Sequence, residues 1–213
     1  MRSYRQYCGL ARALDVVGDR WTLLIIRELL IRGSSRYTDL RDGLPGIATN
    51  LLADRLNELE QAGLIQRSVA SAGAALYELT PRGKELEDVI AALGRWAAPL
   101  MGRRSRGDAV RGHWLALPVQ LYLADGAPNE PPVTLELRAT GDSEPVTVEA
   151  ANGAVRARPG RATLPDLVLA GPPEAIMSVL MGRVEIGAAR RAGLQATGEP
   201  AVLQRLQRRA PNQ

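Results

Sequence analysis

The sequence predicts two domains: a mainly α-helical first half that contains a helix-turn-helix and a β-hairpin, and an α+β second half. Apolar residues recur at helical spacing through most of the first half, whereas strand-like alternation dominates after residue 130. Between them, residues 102–107 are rich in arginine and contain no apolar side chain, which is typical of a domain boundary. We therefore assign residues 1–102 to the first domain, 103–108 to a linker and 109–213 to the second domain.

The composition is that of a soluble globular protein, with 46% hydrophobic and 23% charged residues. No apolar run approaches the roughly 20 residues that cross a bilayer, and the polar N-terminus precedes no signal-peptide core. We expect a cytoplasmic protein without a membrane partner. The single cysteine, Cys8, excludes an intrachain disulfide framework, which agrees with a reducing compartment.

The distribution of charge points to a polyanionic partner for the first half. The net charge of +4 lies within residues 1–107, because the basic and acidic residues of 108–213 cancel. All of the 27 basic residues except Lys84 are arginines, whose planar guanidinium groups suit phosphate. A polyanion such as nucleic acid would therefore face the first half. Charge alone is weak support, since many surfaces of this charge bind no nucleic acid.

Two helices are predicted first. Leu10, Leu14 and Val17 fall at helical spacing before Gly18, which can end a helix. Residues 21–31 are apolar nearly all round, so they predict a central helix surrounded by protein.

A helix-turn-helix follows. Residues 37–44 predict a short helix, residues 45–47 a turn that contains proline and glycine, and residues 49–62 a longer helix. Three leucines share one face of the longer helix, which must point inward: Leu52, Leu56 and Leu59. The opposite face carries Asn50, Ala53, Asp54 and Asn57.

This outward face has the chemistry to read base edges in the major groove of DNA. The amides of Asn50 and Asn57 can bond adenine, and the Asp54 carboxylate can accept from cytosine. Thr49 either caps the helix or reaches a phosphate. The simpler alternative is a solvated helix face. The complete set of predicted DNA contacts is Arg36, Thr49, Asn50, Ala53, Asp54, Arg55, Asn57 and Arg67.

Residues 64–69 and 75–79 predict two short strands that form a hairpin, the wing of a winged helix-turn-helix. Arg67 is its best phosphate ligand, because the tip at residues 70–73 carries no charge. We expect this wing to contribute little affinity.

A further helix is predicted to begin at Pro81, with Thr80 as its N-cap. Its apolar residues repeat as in a coiled-coil seam, so we predict homodimerisation, which would match an inverted repeat in DNA. The alternative is packing within the same domain. The predicted dimerisation residues are Leu86, Val89, Ile90, Leu93, Trp96, Ala97 and Leu100.

The first half resembles the HxlR-type winged-helix regulators of bacteria over about residues 7–101. The matching segments include residues 11–18 (ARALDVVG), 21–25 (WTLLI), 27–29 (REL), 44–47 (LPGI), 63–65 (GLI) and 79–80 (LT). The resemblance implies a dimeric transcription factor, usually a repressor, that binds an inverted repeat. Ala48 stands where serine is common at the start of the reading helix.

Cys8 matches a cysteine that senses oxidants or electrophiles in some of these relatives. Because the sequence has no second cysteine, we favour a small buried apolar residue at this position. A redox sensor is the alternative.

The second half predicts one sheet with helices on a face. Residues 133–137, 146–149, 155–158 and 167–169 read as strands, and Asn152-Gly153 as a hairpin turn. Helices are predicted over residues 110–123, with Pro118 bending or interrupting the first, and over 172–181 and 200–209.

This half resembles the sterol-carrier-protein-like domain through residues 152–155 (NGAV), 165–171 (PDLVLAG), Glu174, Gly182, 193–194 and Gly198. The resemblance implies a small apolar ligand held between sheet and helices. Plausible pocket walls, which plain core residues would equally explain, are Trp114, Leu117, Leu121, Met177, Leu180 and Met181.

The sequence lacks a nucleotide phosphate loop, a G-x-S-x-G motif and a His/Cys metal cluster. We expect no enzyme, no catalytic residue, no metal and no cofactor. His113 is interpreted as a surface or helix-end residue rather than a base. The sequence therefore favours a ligand-responsive repressor. The alternatives are a lipid carrier that uses its helix-turn-helix only to dimerise, and a redox sensor acting through Cys8.

Overall fold

The computed structural model describes residues 3–69, 73–101, 105, 107–142 and 144–209. The chain divides into two compact units, Met1–Arg103 and Arg104–Gln213. Of the predicted linker, residues 103, 104 and 106 lie outside the described part of the chain. None of the helices in the described ranges has the length and apolar character needed to cross a membrane.

The first unit has the predicted winged helix-turn-helix fold. Its helices are α1 (Gly9–Val17), α2 (Thr22–Arg32), α3 (Tyr37–Gly43), α4 (Thr49–Gln61), α5 (Pro81–Lys84) and α6 (Leu86–Ala97), which continues as a 3-10 turn over Ala98–Leu100. Its strands are β1 (Ser35–Arg36), β2 (Ile65–Val69) and β3 (Ala75–Leu79), arranged antiparallel in the order β1-β3-β2.

The core of the first unit forms around α2, as its apolar sequence predicts. Ile25, Ile26 and Leu29 of α2 are buried together with Leu40 of α3 and the inward leucines of α4. The same cluster includes Ile65 and Leu79 from the wing strands, and Leu64 directly before β2. The wing and the helix-turn-helix therefore share one hydrophobic core.

One charged side chain lies inside this core. Glu28 of α2 is completely buried and accepts hydrogen bonds from the Arg27 guanidinium at 2.7 and 3.1 Å. Arg32 places Nε 3.6 Å from the other carboxylate oxygen. A Cβ added at Gly43 would lie 2.1 Å from that oxygen. The absence of a side chain at Gly43 therefore allows the end of α3 to pack against the buried carboxylate.

The single long helix predicted after Thr80 is divided in the structure. Thr80 accepts a hydrogen bond from the Gly83 amide, as a helix N-cap does, and Pro81 begins α5. A single turn residue, Glu85, separates α5 from α6, and its backbone angles remain helical. The predicted cap is therefore correct, and the seam begins on α6.

The second unit is α+β, as predicted. Its elements are a 3-10 turn (Gly112–Leu115), α7 (Ala116–Tyr122), β4 (Leu123–Asp125), β5 (Val133–Ala139), β6 (Val146–Ala151), β7 (Ala154–Pro159), β8 (Leu167–Gly171), α8 (Pro173–Leu180), α9 (Ile186–Arg191), β9 (Gln195–Gly198), a 3-10 helix (Pro200–Arg205) and β10 (Leu206–Arg208). Five strands form a sheet in the order β7-β6-β5-β8-β9, in which only the β5–β8 pairing is parallel. The strands β4 and β10 form a separate antiparallel pair.

The five-stranded sheet has two different faces. Alternate residues of β5, β6 and β7 give an apolar face, which includes the mutually paired Leu135, Val148 and Ala157. The helices α7 and α8 contact these strands and β8. The opposite face carries polar side chains, among them Glu136 paired with Thr147. The sheet therefore has one apolar face and one polar face, and on the polar face Glu136 and Thr147 are themselves buried.

Local turn signals are confirmed in this unit. Asn152 and Gly153 both have positive φ, 51° and 80°, and they connect Ala151 of β6 to its partner Ala154 of β7. Positive φ at both central positions is what a type I′ hairpin turn requires. Pro118 lies inside α7, just after the 3-10 turn changes to α-helix, so the predicted interruption falls at that change of helix type.

Two predictions for this unit are wrong. Residues 200–209 are not one α-helix, because after a 3-10 helix Leu206 pairs with Asp125 of β4 and draws the chain into β10. His113 is not a surface residue, since it is 1% exposed and its Nδ1 lies 3.4 Å from the Glu144 carboxylate, although it does lie at a helix end, in the 3-10 turn before α7. Both outcomes depend on partners that are distant in sequence.

A buried ion pair joins the ends of the second unit. The Arg205 guanidinium donates to both carboxylate oxygens of Asp125, at 2.8 and 3.0 Å. The same carboxylate accepts from the backbone amides of Ala127 and Gly153, and Arg205 also donates to the Pro131 carbonyl at 2.9 Å. The hydrogen bonds from Arg205, followed by those two amides, lower the pKa of Asp125 from 3.8 to about 2.

We predict that Asp125→Asn lowers the free energy of unfolding by about 3 kcal/mol at neutral pH, because it leaves the partly buried Arg205 without its counter-charge. Since the folded pKa lies below the unfolded one, the carboxylate stabilises the fold fully above pH 3.8 and loses this effect as the pH falls towards about 2. Urea unfolding at a series of pH values measures the difference between the variant and the wild type. Asp42→Asn, at an exposed carboxylate, is the control, and a difference that stays constant down to pH 2 would contradict the prediction.

Candidate nucleic-acid interface

The helices α3 and α4 are joined in the manner of a helix-turn-helix. The connection contains Gly46 with φ of 90°, a conformation that glycine adopts without steric cost. The Tyr37 hydroxyl of α3 donates to the Thr49 carbonyl at 2.6 Å, which fixes the start of α4 against α3. The second helix of the motif therefore has a defined orientation.

The inward and outward faces of α4 lie where the leucine spacing predicts. Leu52, Leu56 and Leu59 are at most 2% exposed. Asn50, Asp54 and Asn57 are exposed on the other side of the helix, and Ala53 is partly buried between them. The solvent-facing surface therefore consists of two amides and a carboxylate around a small side chain.

Thr49 does not cap α4. The N-cap residue is Ala48, which has no side chain able to accept a hydrogen bond, and Thr49 is the first helical residue. The predicted capping role of Thr49 is therefore wrong. Its exposed hydroxyl lies beside backbone amides at a helix N-terminus, a place that favours anions.

Arg55 lies on the flank of α4 and its guanidinium is engaged. Its Nη1 is 2.7 Å from an Asp19 carboxylate oxygen and also contacts Glu58, and the side chain is 20% exposed. The two carboxylates neutralise the guanidinium, which argues against a direct phosphate contact by Arg55. The bridge instead joins α4 to the segment between α1 and α2.

The two remaining predicted contacts lie on the sheet of the first unit. Arg36 is exposed at the end of β1, immediately before α3, and pairs in register with Leu76 of β3. Arg67 is exposed on β2, with its guanidinium carbon 6.0 Å from the Tyr77 ring centre. The uncharged wing tip predicted at residues 70–73 lies outside the described residues, except for Gly73. The two arginines therefore lie on the strands that flank β3.

The predicted seam of α6 separates into two groups. Leu86 and Ile90 pack against the core of their own unit, and Ala97 is half-buried. Four large apolar side chains at helical spacing are exposed by 43–73%, and we name them the α6 stripe: Val89, Leu93, Trp96 and Leu100. Packing within the unit therefore explains only part of the seam.

Further apolar surface lies near the N-terminus, where the sequence analysis predicted a helix but no interface. Leu10 and Leu14 of α1 are 69% and 40% exposed, and Tyr7 before the helix is fully exposed. Leu10 and Leu14 are four residues apart, so they lie on one face of α1. That spacing, in a helix outside the predicted core, was the available sequence signal.

Cys8 is exposed, so its interpretation as a small buried residue is wrong. It is the N-cap residue of α1, and the nearby backbone amides of Ala11 and Leu10 lower the pKa of its thiol. A helix N-terminus favours a thiolate in this position. Placement at the start of a short helix, rather than within its apolar face, makes the thiol accessible.

Of the six residues predicted to line an apolar pocket, three are buried and three are half-buried. Leu117, Leu180 and Met181 are buried, while Trp114, Leu121 and Met177 are half-buried. None of the six lines the polar cleft of about 390 Å³ that the second unit contains. A role for them in ligand binding stays a prediction.

The residues that build α2, the helix-turn-helix, the wing and α6 are also those that known proteins share with this chain. Residues 16–105 match the model of the HxlR-like helix-turn-helix family. An uncharacterised HTH-type transcriptional regulator of Bacillus subtilis, YvaP, is 34% identical over 88 residues, which are 40% of this chain and 81% of that protein. The chain belongs to the HxlR-like helix-turn-helix family.

Other relatives of this HxlR-like protein cover similar shares. The uncharacterised HTH-type transcriptional regulator sll1512 of Synechocystis is 33% identical over 100 residues, 46% of this chain and 73% of that protein. The HTH-type transcriptional regulator YodB of B. subtilis is 34% identical over 87 residues, 40% of this chain and 77% of that protein. The reduced form of YodB, as a solved structure, gives a TM-score of 0.40 at 30% identity and covers 47% of this chain and 100% of that one. The family match ends at residue 105, so most of the second unit lies beyond it.

We predict that Cys8 of this HxlR-like protein is alkylated as an accessible thiol with a pH midpoint below that of the same cysteine in the unfolded chain. The amides of Ala11 and Leu10 stabilise the thiolate only when α1 is formed. The measurement is the rate of iodoacetamide labelling against pH, followed by mass spectrometry, in buffer and in concentrated urea. Equal midpoints under the two conditions would rule out this stabilisation.

Proposed function

We propose that this protein is a DNA-binding transcriptional repressor that binds an inverted repeat as a homodimer. The observation that carries the proposal is the two-sided character of α4, whose leucines are buried while Asn50, Asp54 and Asn57 face solvent. A helix that is held by one face in a helix-turn-helix presents the other face to the major groove. Membership in a helix-turn-helix family, and relatives named as transcriptional regulators, support the same conclusion.

The proposed contacts divide into those that read bases and those that bind the backbone. Asn50 and Asn57 each offer a donor and an acceptor that match adenine N7 and N6, and Asp54 can accept from cytosine N4. Thr49, with the free amides at the start of α4, and the guanidinium groups of Arg36 and Arg67 are placed for phosphates. Arg55 acts as a positioning residue, because Asp19 and Glu58 hold it.

The proposed dimer is formed through the α6 stripe. Burial of apolar area drives association, and Trp96 and Leu100 are 73% and 71% exposed in the single chain. A second copy is the occupant that the proposed function favours, since two α4 helices related by a two-fold axis match two half-sites about one DNA turn apart.

The second unit is proposed as a sensing domain that responds to a small ligand. Its sheet is covered by helices on the apolar face, which supports the resemblance to sterol-carrier-like domains. An apolar ligand between these layers is the expectation from sequence. A ligand that binds the DNA-competent and DNA-incompetent states of the dimer with different affinities would change the free energy of operator binding. Such coupling is typically about 1–3 kcal/mol. The proposed protein works in the cytoplasm and needs no cofactor.

A second candidate function is thiol-based sensing, which the exposure and lowered pKa of Cys8 favour. In a homodimer, oxidation would link two copies through a Cys8 disulfide, and Cys8→Ser would abolish the response. A lipid carrier whose helix-turn-helix serves only for dimerisation is the remaining alternative. It predicts no shift of DNA by the protein at any salt concentration.

We predict that Asn50→Ala weakens binding to duplex fragments from the promoter of the protein's own gene by about tenfold, which corresponds to about 1.4 kcal/mol. The reason is the loss of a bidentate amide contact to one base. Gel shifts at several salt concentrations are the measurement, because phosphate contacts set the salt slope and should not change. Asn129→Ala, at an exposed position of the second unit, is the matched control and should bind as the wild type does. Equal affinity of Asn50→Ala and the wild type would remove Asn50 from the reading surface.

We predict that Trp96→Glu converts the dimer to a monomer and abolishes the gel shift at protein concentrations where the wild type binds. The glutamate places a charge in an apolar interface, whereas the 73% exposure of Trp96 means that the fold of each chain should be unaffected. Sedimentation velocity measures the mass. Arg95→Glu introduces the same side chain on the adjacent, exposed side of α6 and should remain dimeric. A wild-type protein that sediments as a monomer would contradict the proposed interface.

A further inference from the structure

The polar cleft of the second unit lies at the edge strand of the five-stranded sheet. It has a volume of about 390 Å³ and is lined by Gln120, Thr147, Glu149, Arg156, Ala157 and Arg158. Small-molecule sites commonly have about 300–1,000 Å³. Because β7 has a neighbour only on its β6 side, the cleft opens at a sheet margin.

Strand geometry places two guanidinium groups together in this cleft. Arg156 and Arg158 are two residues apart on β7, so their side chains point to the same face of the sheet. Ala157 between them points to the opposite face and is buried. In the β6–β7 pairing, Arg156 lies opposite Glu149 and Arg158 lies opposite Thr147. The two arginines therefore share one surface of the polar face.

These two guanidinium groups differ from others in the unit. Arg138 pairs with Glu136, Arg205 with Asp125, and Arg208 donates to a backbone carbonyl. Within the described ranges, neither Arg156 nor Arg158 makes a hydrogen bond or an ion pair through its side chain, and both are exposed. Two arginines of this unit are thus available to an anion from solution.

The other side chains of the cleft restrict the ligand. The Thr147 hydroxyl donates a hydrogen bond to the Gly160 carbonyl at 2.9 Å, and Thr147 is buried. Its side chain is therefore held at the bottom of the cleft. Glu149 is a carboxylate and accepts hydrogen bonds, and Gln120 of α7 offers an amide. A ligand that carries only negative charge would meet repulsion from Glu149. A hydroxyl or amino group near the anionic group would satisfy both Glu149 and Gln120.

We propose that this cleft binds a small oxyanion that also carries hydroxyl or amino groups, held by Arg156 and Arg158. The planar guanidinium fork suits a carboxylate or a phosphate in bidentate geometry. The site shares no residue with the predicted apolar pocket between the sheet and its helices. It therefore gives the second unit a second, polar class of ligand.

The test is isothermal titration of the full-length protein with malate and, separately, with inorganic phosphate, at constant ionic strength set by sodium chloride. Malate supplies carboxylates with a hydroxyl, whereas phosphate supplies the oxyanion alone. We expect saturable binding of malate that is tighter than binding of phosphate, because the malate hydroxyl can form hydrogen bonds with Glu149 and Gln120. Phosphate that binds as tightly as malate would overturn the proposed ligand class. Saturable binding of neither anion overturns the proposal.

Three variants locate the site. Arg158→Gln should weaken binding about tenfold, the effect of losing a charge-assisted hydrogen bond, and Arg158→Lys should retain part of the affinity because the charge remains. Arg183→Gln removes the same charge from an exposed position outside the cleft and should leave the affinity unchanged. Equal losses in Arg158→Gln and Arg183→Gln would show a diffuse charge effect and overturn the site. Unfolding in urea confirms that all three variants fold.

The titration contains no DNA, so its failure leaves the proposed DNA binding unaffected. A loss of DNA affinity in Arg158→Gln without any loss of anion binding would assign these arginines to DNA phosphates, and that outcome also overturns the proposal. Gel shifts of the same variants at two salt concentrations make this distinction.

Discussion

The burial of one leucine face of α4 is the constraint on which the first unit depends. Leu52, Leu56 and Leu59 enter the same core as Ile25 and Leu29 of α2, and a helix cannot bury one face without committing the opposite face to solvent. The orientation of the polar residues on α4 follows from apolar packing on its other side. Large-to-small changes among core leucines typically cost about 2–5 kcal/mol, so this orientation is strongly held.

In the second unit, the corresponding constraint is that one face of the five-stranded sheet is apolar. An apolar face must be covered, and α7 and α8 cover it, while the polar face remains accessible except where residues near Gly160 cross it to meet Thr147 and Glu136. The edge strand β7 lies between these two environments. Its alternating pattern, with Val155 and Ala157 buried and Arg156 and Arg158 exposed, places an apolar core and a charged cleft on the two sides of one strand.

Features encoded locally could be predicted from the sequence. The spacing of the α4 leucines, the Thr80 cap and the Asn152-Gly153 turn each depend on residues within a few positions of one another, and each is found where the pattern indicates. The winged helix-turn-helix and the α+β class followed from such signals. The solvent-facing side of α4 was identifiable for the same reason.

Features that depend on distant partners could not be predicted. The sequence pattern predicts Arg55 as a surface cation, because the contact with Asp19 forms only in the folded chain. Likewise, β10 forms because β4 offers a free edge for pairing. The burial of His113 and the exposure of Cys8 are likewise set by tertiary packing rather than by neighbouring residues. The polar cleft combines a helix residue, Gln120, with two strands, a juxtaposition that no single pattern in the sequence records.

The ion pair between Arg55 and Asp19 has a mechanical consequence. Asp19 follows α1 almost directly, and Arg55 lies near the middle of α4, so the ion pair connects the end of α1 to α4 in addition to the shared core. The Arg55 Nε atom is enclosed without a hydrogen-bond partner among the described residues, and the carboxylates of Asp19 and Glu58 at Nη1 hold the guanidinium in place. A displacement of α1, the helix with exposed leucines and a thiol at its start, would therefore act on α4 through this ion pair.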